Sequence, residues 1–491
     1  MVAAGPDESR PTRFRLTDED FAALAAGRPG PATVDDLRRS QISRHLLLLA
    51  ENLKNPAFTI PTWYAQPAVT RRDALADPML ALHTAATLAA LRAGAALPPD
   101  PIASPRRMTA THDGLTLRVR LEDTDPLRPR LGLTPSRQLT DAEAARWQHL
   151  LSAAWQILVT RHRETATVLA AVLRVIVPIE PDPGAAGLSA TSAEAFGAVA
   201  LSAPADATSF AVGLIHETQH SLLNATRTLF DLVRPGVPRT YSPWREDPRP
   251  PFGLLHGAYA YQSVTRFWRA EAGPLARFEF ARWRAAVADA ADALLANGAL
   301  TAAGVRFAEA MRDEVSAWRD EPVDAGVNRL ALGANVEHRV RWRLRNLVVR
   351  TDGFLDDWRA GRAPRIPAPA LRPGGGRALE RSTRLTAAHR LLRDGTTEGL
   401  TLADTAYLRG DAGAALTAYA KGLESGTRPT EPDQPPGPRE SELWAGIALV
   451  SPWRCVRERP ETVRAAFASI EDVPLAAVAE WVEGSLMSPP V

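Results

Sequence analysis

Apolar positions recur every three or four residues from Val34 to Leu53, where Leu37, Ile42, Leu46, Leu47 and Leu49 form one stripe. That spacing predicts a helix. A second helix, rich in Ala and Leu, is predicted from Pro78 to Ala93. The period then changes. Leu115-Thr116-Leu117-Arg118-Val119-Arg120-Leu121 alternates strictly, as a half-buried strand does. Thr140-Asp141-Ala142-Glu143 reads as a capping box that opens a long helix to His162, with Trp147, Leu150, Leu151 and Trp155 turned inward. Arg174 to Ile179 reads as a strand, and its proline, Pro178, suggests a sheet edge. Pro181 to Glu194 is expected as a loop, Ala195 to Ser202 as a short strand, and Asp206 to Val233 as a helix. A proline-rich crossing follows from Arg234 to Pro251. Beyond it, helices are predicted at Leu275 to Asn297, Ala302 to Asp320 and Val327 to Val349.

Punctuation sets the expected domains. Residues 1–33 are polar and rich in Pro and Gly, a loose lead-in, and 34–135 form a mostly helical N-terminal region. Residues 136–352 form the catalytic domain, and 353–385, with Gly374-Gly375-Gly376, form a linker. Residues 386–491 form a helical C-terminal domain, in which Ala403 to Tyr419 resembles one tetratricopeptide hairpin, and Pro429 to Arg439 form a loop before the last helices. The fold class expected is α+β, predominantly helical, with a zincin-like core of short strands beside a motif-bearing helix.

Composition narrows the partners. At 491 residues the chain suggests roughly two to four domains. The 58 basic and 56 acidic side chains leave a net charge of +2, so no global charge favours nucleic acid or a membrane surface. A single cysteine, Cys455, excludes an internal disulfide framework and a multi-cysteine metal site. The N-terminus lacks a basic stretch followed by an apolar one, and no apolar run approaches the roughly 18 residues of a membrane span. A cytoplasmic location is the expectation.

The chemistry concentrates in Phe210 to Leu223, which contains His216-Glu217-Thr218-Gln219-His220. Helical residues four apart share a face, with Cβ atoms about 5–6 Å apart. His216 and His220 can therefore direct two imidazoles at one metal, with Glu217 beside it. The bland alternative is a surface helix with two unrelated histidines. The apolar neighbours Leu214, Ile215, Leu222 and Leu223 argue against it, because a buried imidazole pair needs a partner that offsets desolvation.

Two histidines do not complete a site. A metzincin would need Gly and His where Leu223 and Thr226 stand, and no Asn-Glu-x-x-x-Glu-like segment supplies the gluzincin glutamate. His256, between Leu255 and Gly257, is the leading third ligand. Asp231, Glu246 and Asp247 are carboxylate rivals that would make a two-His-one-carboxylate triad. His45, after an arginine, reads as structural.

Taken together, Leu188-Ser189-Ala190-Thr191-Ser192, Gly197-Ala198-Val199, the His216–Asn224 stretch, Trp244-Arg245-Glu246-Asp247-Pro248-Arg249-Pro250, His256-Gly257-Ala258-Tyr259-Ala260 and Arg341-Trp342-Arg343-Leu344-Arg345 carry a resemblance. The pattern, over most of residues 35–350, resembles the actinobacterial family of HExxH-motif peptide-modifying proteins, described as 2-oxoglutarate-dependent peptide β-hydroxylases. The resemblance implies an Fe(II) site that uses 2-oxoglutarate and O2 to hydroxylate a β-carbon of a ribosomal precursor peptide. The distal carboxylate of 2-oxoglutarate calls for a forked guanidinium. Arg245 and Arg249 are the first choices, Arg341 and Arg343 the second, and Tyr241, Tyr259 and Tyr261 are candidates to orient co-substrate or ligands. Glu217 has two readings: the general base of a zinc peptidase, or, in an oxygenase, an orienting group or temporary ligand. The zincin-type zinc metallopeptidase is the alternative function. A peptide-binding protein with a degenerate site is a third.

Overall fold

The alternation at Leu115–Leu121 folds as strand β2, paired antiparallel with β1 (Arg107–His112). A two-residue turn joins them, Asp113-Gly114, and both residues have positive φ, 40° and 73°. That is the Asp-Gly turn whose twist matches a hairpin. A computed structural model of the chain describes residues 14–59, 61, 68–182, 187–373, 382–426 and 434–486. The described residues are predominantly helical, with a small mixed sheet.

Three further strands complete the sheet: β3 (Val175–Ile179), β4 (Ser189–Thr191) and β5 (Ala198–Ser202). Their order is β1-β2-β3-β5-β4. The pairs β2–β3 and β3–β5 are parallel, while β1 and β4 run antiparallel along the two edges. β3 and β5 are buried at every residue, as central parallel strands covered on both faces are. On one face Ile176, Val199 and Leu201 pack with Trp147, Leu151 and Trp155 of helix Asp141–Arg161 and with Phe210 and Leu214. On the other, Val175, Val177 and Ile179 meet Met79, Leu82 and Ala86 of helix Pro78–Ala93. Thr140 caps the first of these helices through a complete capping box with Glu143.

The expected edge position of the Pro178 strand is corrected: β3 lies between β2 and β5. β2 pairs only as far as Leu121 with Ile176, so it has ended where the proline would need an acceptor. The Pro178 carbonyl accepts from Ser136 N at 3.0 Å, on a segment that continues that side of the strand. The missing N–H is therefore not missed.

The chain forms two compact units, and neither is contiguous. The first holds residues 1–235, 255–270 and 293–315, and the second holds 236–254, 271–292 and 316–491. The boundaries expected near 135 and 352 do not coincide with these units. β1 and β2 join the sheet that carries β3 to β5, while stretches inside 136–352 pack into the second unit. Part of the expected lead-in is ordered too: helix Asp18–Ala25 buries Phe21 and Leu24, and a second helix starts at Pro31. His45 is held between the Leu75 carbonyl at 2.9 Å and Thr84 Oγ1 at 2.8 Å, a structural role.

The second unit is helical. Its proline-rich crossing contains a hairpin, β6 (Thr240–Ser242) with β7 (Arg245–Arg249). The stretch expected as a linker contributes helix Phe354–Arg359, anchored by a fully buried Phe354. Gly374-Gly375-Gly376 lie outside the described residues. The tetratricopeptide-like segment forms helices Leu402–Arg409 and Ala412–Glu424. Buried between these helices and their neighbours, Arg384 bridges Glu337 and Asp404, and Tyr419 also meets it.

Candidate metal centre

The motif helix, Ala207–Arg227, begins at a definite point because Asp206 caps it. The Asp206 carboxylate accepts from Ser209 N at 2.7 Å, and Ser209 Oγ in turn accepts from Asp206 N. From that start, His216 and His220 fall one turn apart on the same face. Their ring centroids are 4.5 Å apart with planes at 83°. Donor atoms of His216, Glu217 and His220 all lie within 4.8 Å of one another. The apolar flanks predicted burial, and Glu217 is 1% exposed. The His216 side chain keeps 19% exposure, so the group opens on its side.

Burial sets the charge state. Desolvation pushes the His216 imidazole down to about 4. The same cause, joined by the neighbouring His256 and His216, holds His220 well below its usual value. Both rings are therefore neutral at pH 7, the form that ligates a metal. Burial pushes Glu217 up to about 7, while Ser189 and Thr191 on the edge strand β4 pull it back in part. Glu217 Oε2 and His220 Nδ1 are buried without a hydrogen-bond partner. Buried polar atoms are rarely left so unless something else engages them. Two neutral imidazoles, one carboxylate and unsatisfied acceptor atoms fit a divalent cation, and the donor types suit iron(II) and zinc alike.

His256 enters from the next helix, Pro251–Ala270. Its ring lies on that of His220, with centroids 3.7 Å apart and planes 5° apart. It meets the motif through its ring face, outside the tight donor group of His216, Glu217 and His220. Tyr261 stands edge-on to His216 at 5.1 Å. Tyr259 is tied up elsewhere. Fully buried, it donates to the Leu24 carbonyl at 2.7 Å and holds helix Asp18–Ala25 in place.

The candidates for co-substrate binding belong to the second unit. Arg245 donates twice to Asp247 Oδ1, at 2.9 and 2.6 Å, and Arg249 reaches Oδ2 at 3.3 Å. Arg341 donates to Glu246 Oε1 at 3.0 Å, and Arg343 to Glu461 Oε2 at 2.8 Å. Tyr241 shares a hydrogen bond with His338 Nδ1 at 3.0 Å. The rival ligands Glu246 and Asp247 thus serve as arginine partners, and Asp231 is exposed. Of the four arginines, Arg341 is the one whose Nη1 is buried with no hydrogen-bond partner.

The structure therefore brings together His216, Glu217, His220, His256 and Tyr261. Within the second unit it gathers Tyr241, Arg245, Arg249 and Arg341 around the β6–β7 hairpin. Ser189 and Thr191 were not singled out from the sequence as site residues. The stretch was expected as a loop; it is its pairing with β5 as a strand that puts the two hydroxyls, two residues apart, on one face. No protein-family model and no curated protein matches the chain.

Proposed function

We propose that the chain is a mononuclear metalloenzyme that hydroxylates a side-chain β-carbon of a ribosomally made precursor peptide. His216, His220 and His256 would hold iron(II). One observation carries the reading: the histidine picked out by the His256-Gly257-Ala258-Tyr259-Ala260 resemblance has its ring against His220 of the motif. Bound iron(II) with 2-oxoglutarate and O2 would supply the oxidising power, one oxygen atom going to the peptide and the other into succinate as CO2 leaves. The chain's own part is to present neutral imidazoles and to bury Glu217 and His220 away from water, while His216 and His256 stay part-exposed. Glu217 is buried beside the two rings, where its carboxylate can join or orient what the metal holds.

A second reading, a zincin-type zinc peptidase, is favoured by one feature. Glu217 sits beside the histidines with its pKa pushed to about 7, the range that suits a general base.

The two readings separate on anaerobic addition of Fe(II) and then 2-oxoglutarate to the purified protein. The oxygenase predicts a visible metal-to-ligand charge-transfer band that disappears in His216→Ala, and succinate once O2 is admitted. Absence of the band, with tight zinc retention and peptide cleavage lost in Glu217→Gln, would replace it with the peptidase.

A further inference from the structure

Two adjoining cavities, of ≈300 and ≈450 Å³, run along one face of helix Ala325–Asn346 in the second unit. They share Leu332, Val336 and Arg457, so they form one groove. Arg329, Leu332, Val336, Arg339 and Arg343 recur at three- or four-residue spacing along that face. The floor is apolar: Val336, Leu449 and Val450 line it, and Leu332 is 42% exposed there. An uncovered leucine above an apolar floor is the kind of feature that marks an interaction surface.

The charge of the groove gives its occupant. Each carboxylate lining it already has a basic partner: Asp289 pairs with Arg339 at 3.1 Å and Glu458 with Arg454 at 2.8 Å. Arg343 is likewise matched, by Glu461. Arg329 and Arg457 are different. Arg329 donates to the carbonyls of Tyr407 and Leu408, at 2.9 and 3.0 Å, and Arg457 to that of Ser451 at 2.6 Å. Carbonyl dipoles hold a guanidinium in place but do not cancel its charge. Among the described residues the groove thus carries two uncompensated positive charges flanking an apolar floor.

We propose that this groove docks an acidic peptide segment, which seats an apolar side chain against Leu332 and Val336 and sets carboxylates against Arg329 and Arg457. Amphipathic peptides are recognised in this way when their apolar face meets a groove between helices. The docking is separate from the metal chemistry and stands whichever reaction the motif performs.

The test uses the full chain and fluorescence anisotropy with two labelled synthetic peptides. One carries leucines at i and i+4 among glutamates, and the other has every glutamate replaced by lysine. The acidic peptide binds saturably and weakens as salt is raised, because exposed charge pairs are screened. Leu332→Glu and Arg457→Gln each weaken it by about tenfold or more, a change well above assay error. Leu402→Glu, at a leucine 87% exposed that does not line the groove, leaves binding unchanged. No saturable binding of the acidic peptide, equal binding of both peptides, or wild-type binding by both groove variants overturns the proposal. Circular dichroism on each variant separates lost docking from lost fold.

Discussion

The imidazole of His256 lies flat on that of His220, 3.7 Å between centroids, although the two residues sit on different helices. A stacked partner of this kind fixes the orientation of its neighbour. His256→Ala is therefore expected to lower affinity for iron(II) or zinc by about 10–100-fold, the range seen when a residue that orients a metal ligand is lost. Metal content after dialysis against a chelator measures this. Stoichiometric retention in the variant removes His256 from the centre.

Glu217 gives the metal-free protein a pH dependence with a definite sign. Its folded pKa, about 7, lies above the ordinary 4.5, so the fold favours the protonated form. That contribution is fully present below pH 4.5 and is lost as pH rises through 7. Glu217→Gln has no charge to bury. The variant is expected to gain on the wild type across this window, reaching about 3 kcal/mol at alkaline pH. Urea unfolding of both metal-free proteins from pH 4 to pH 8 checks it. A constant difference between them would mean that the carboxylate is not buried as a charge.

Gly304 makes a test of packing. It lies in helix Ala302–Ser316, where an added Cβ would come 1.9 Å from the Leu232 carbonyl oxygen. An exposed helical Gly→Ala change stabilises by about 1 kcal/mol. Here the sign reverses, and Gly304→Ala is expected to cost about 1–3 kcal/mol as Leu232 is displaced. Thermal unfolding reads the outcome directly, and a variant as stable as the wild type contradicts the close approach.

Local signals carried much of this structure. Asp206, the 3.6-residue period and the His216–His220 spacing placed the motif helix, and Thr140 with Glu143 placed the start of another. Such features depend on neighbours within one turn, so they are legible from the chain alone. Pro178 was misleading because the outcome depended on where β2 stops, a tertiary fact. Helix Asp18–Ala25 was missed because its eight residues offer only Phe21 and Leu24 as anchors, and their burial is decided by residues far along the chain. The arginines were harder still. Arg245, Asp247 and Arg249 alternate along β7 and so share a face, but nothing in sequence order reveals that Arg341 meets Glu246 or that Arg343 meets Glu461.

The path of the backbone through the two units has a consequence for how the protein can be cut. It crosses between them after residues 235, 254, 270, 292 and 315, and two of those crossings fall inside helices, Pro251–Ala270 and Pro274–Ala296. No single cleavage point releases either half intact. A gene for the motif-bearing unit alone would have to be stitched from three separated stretches.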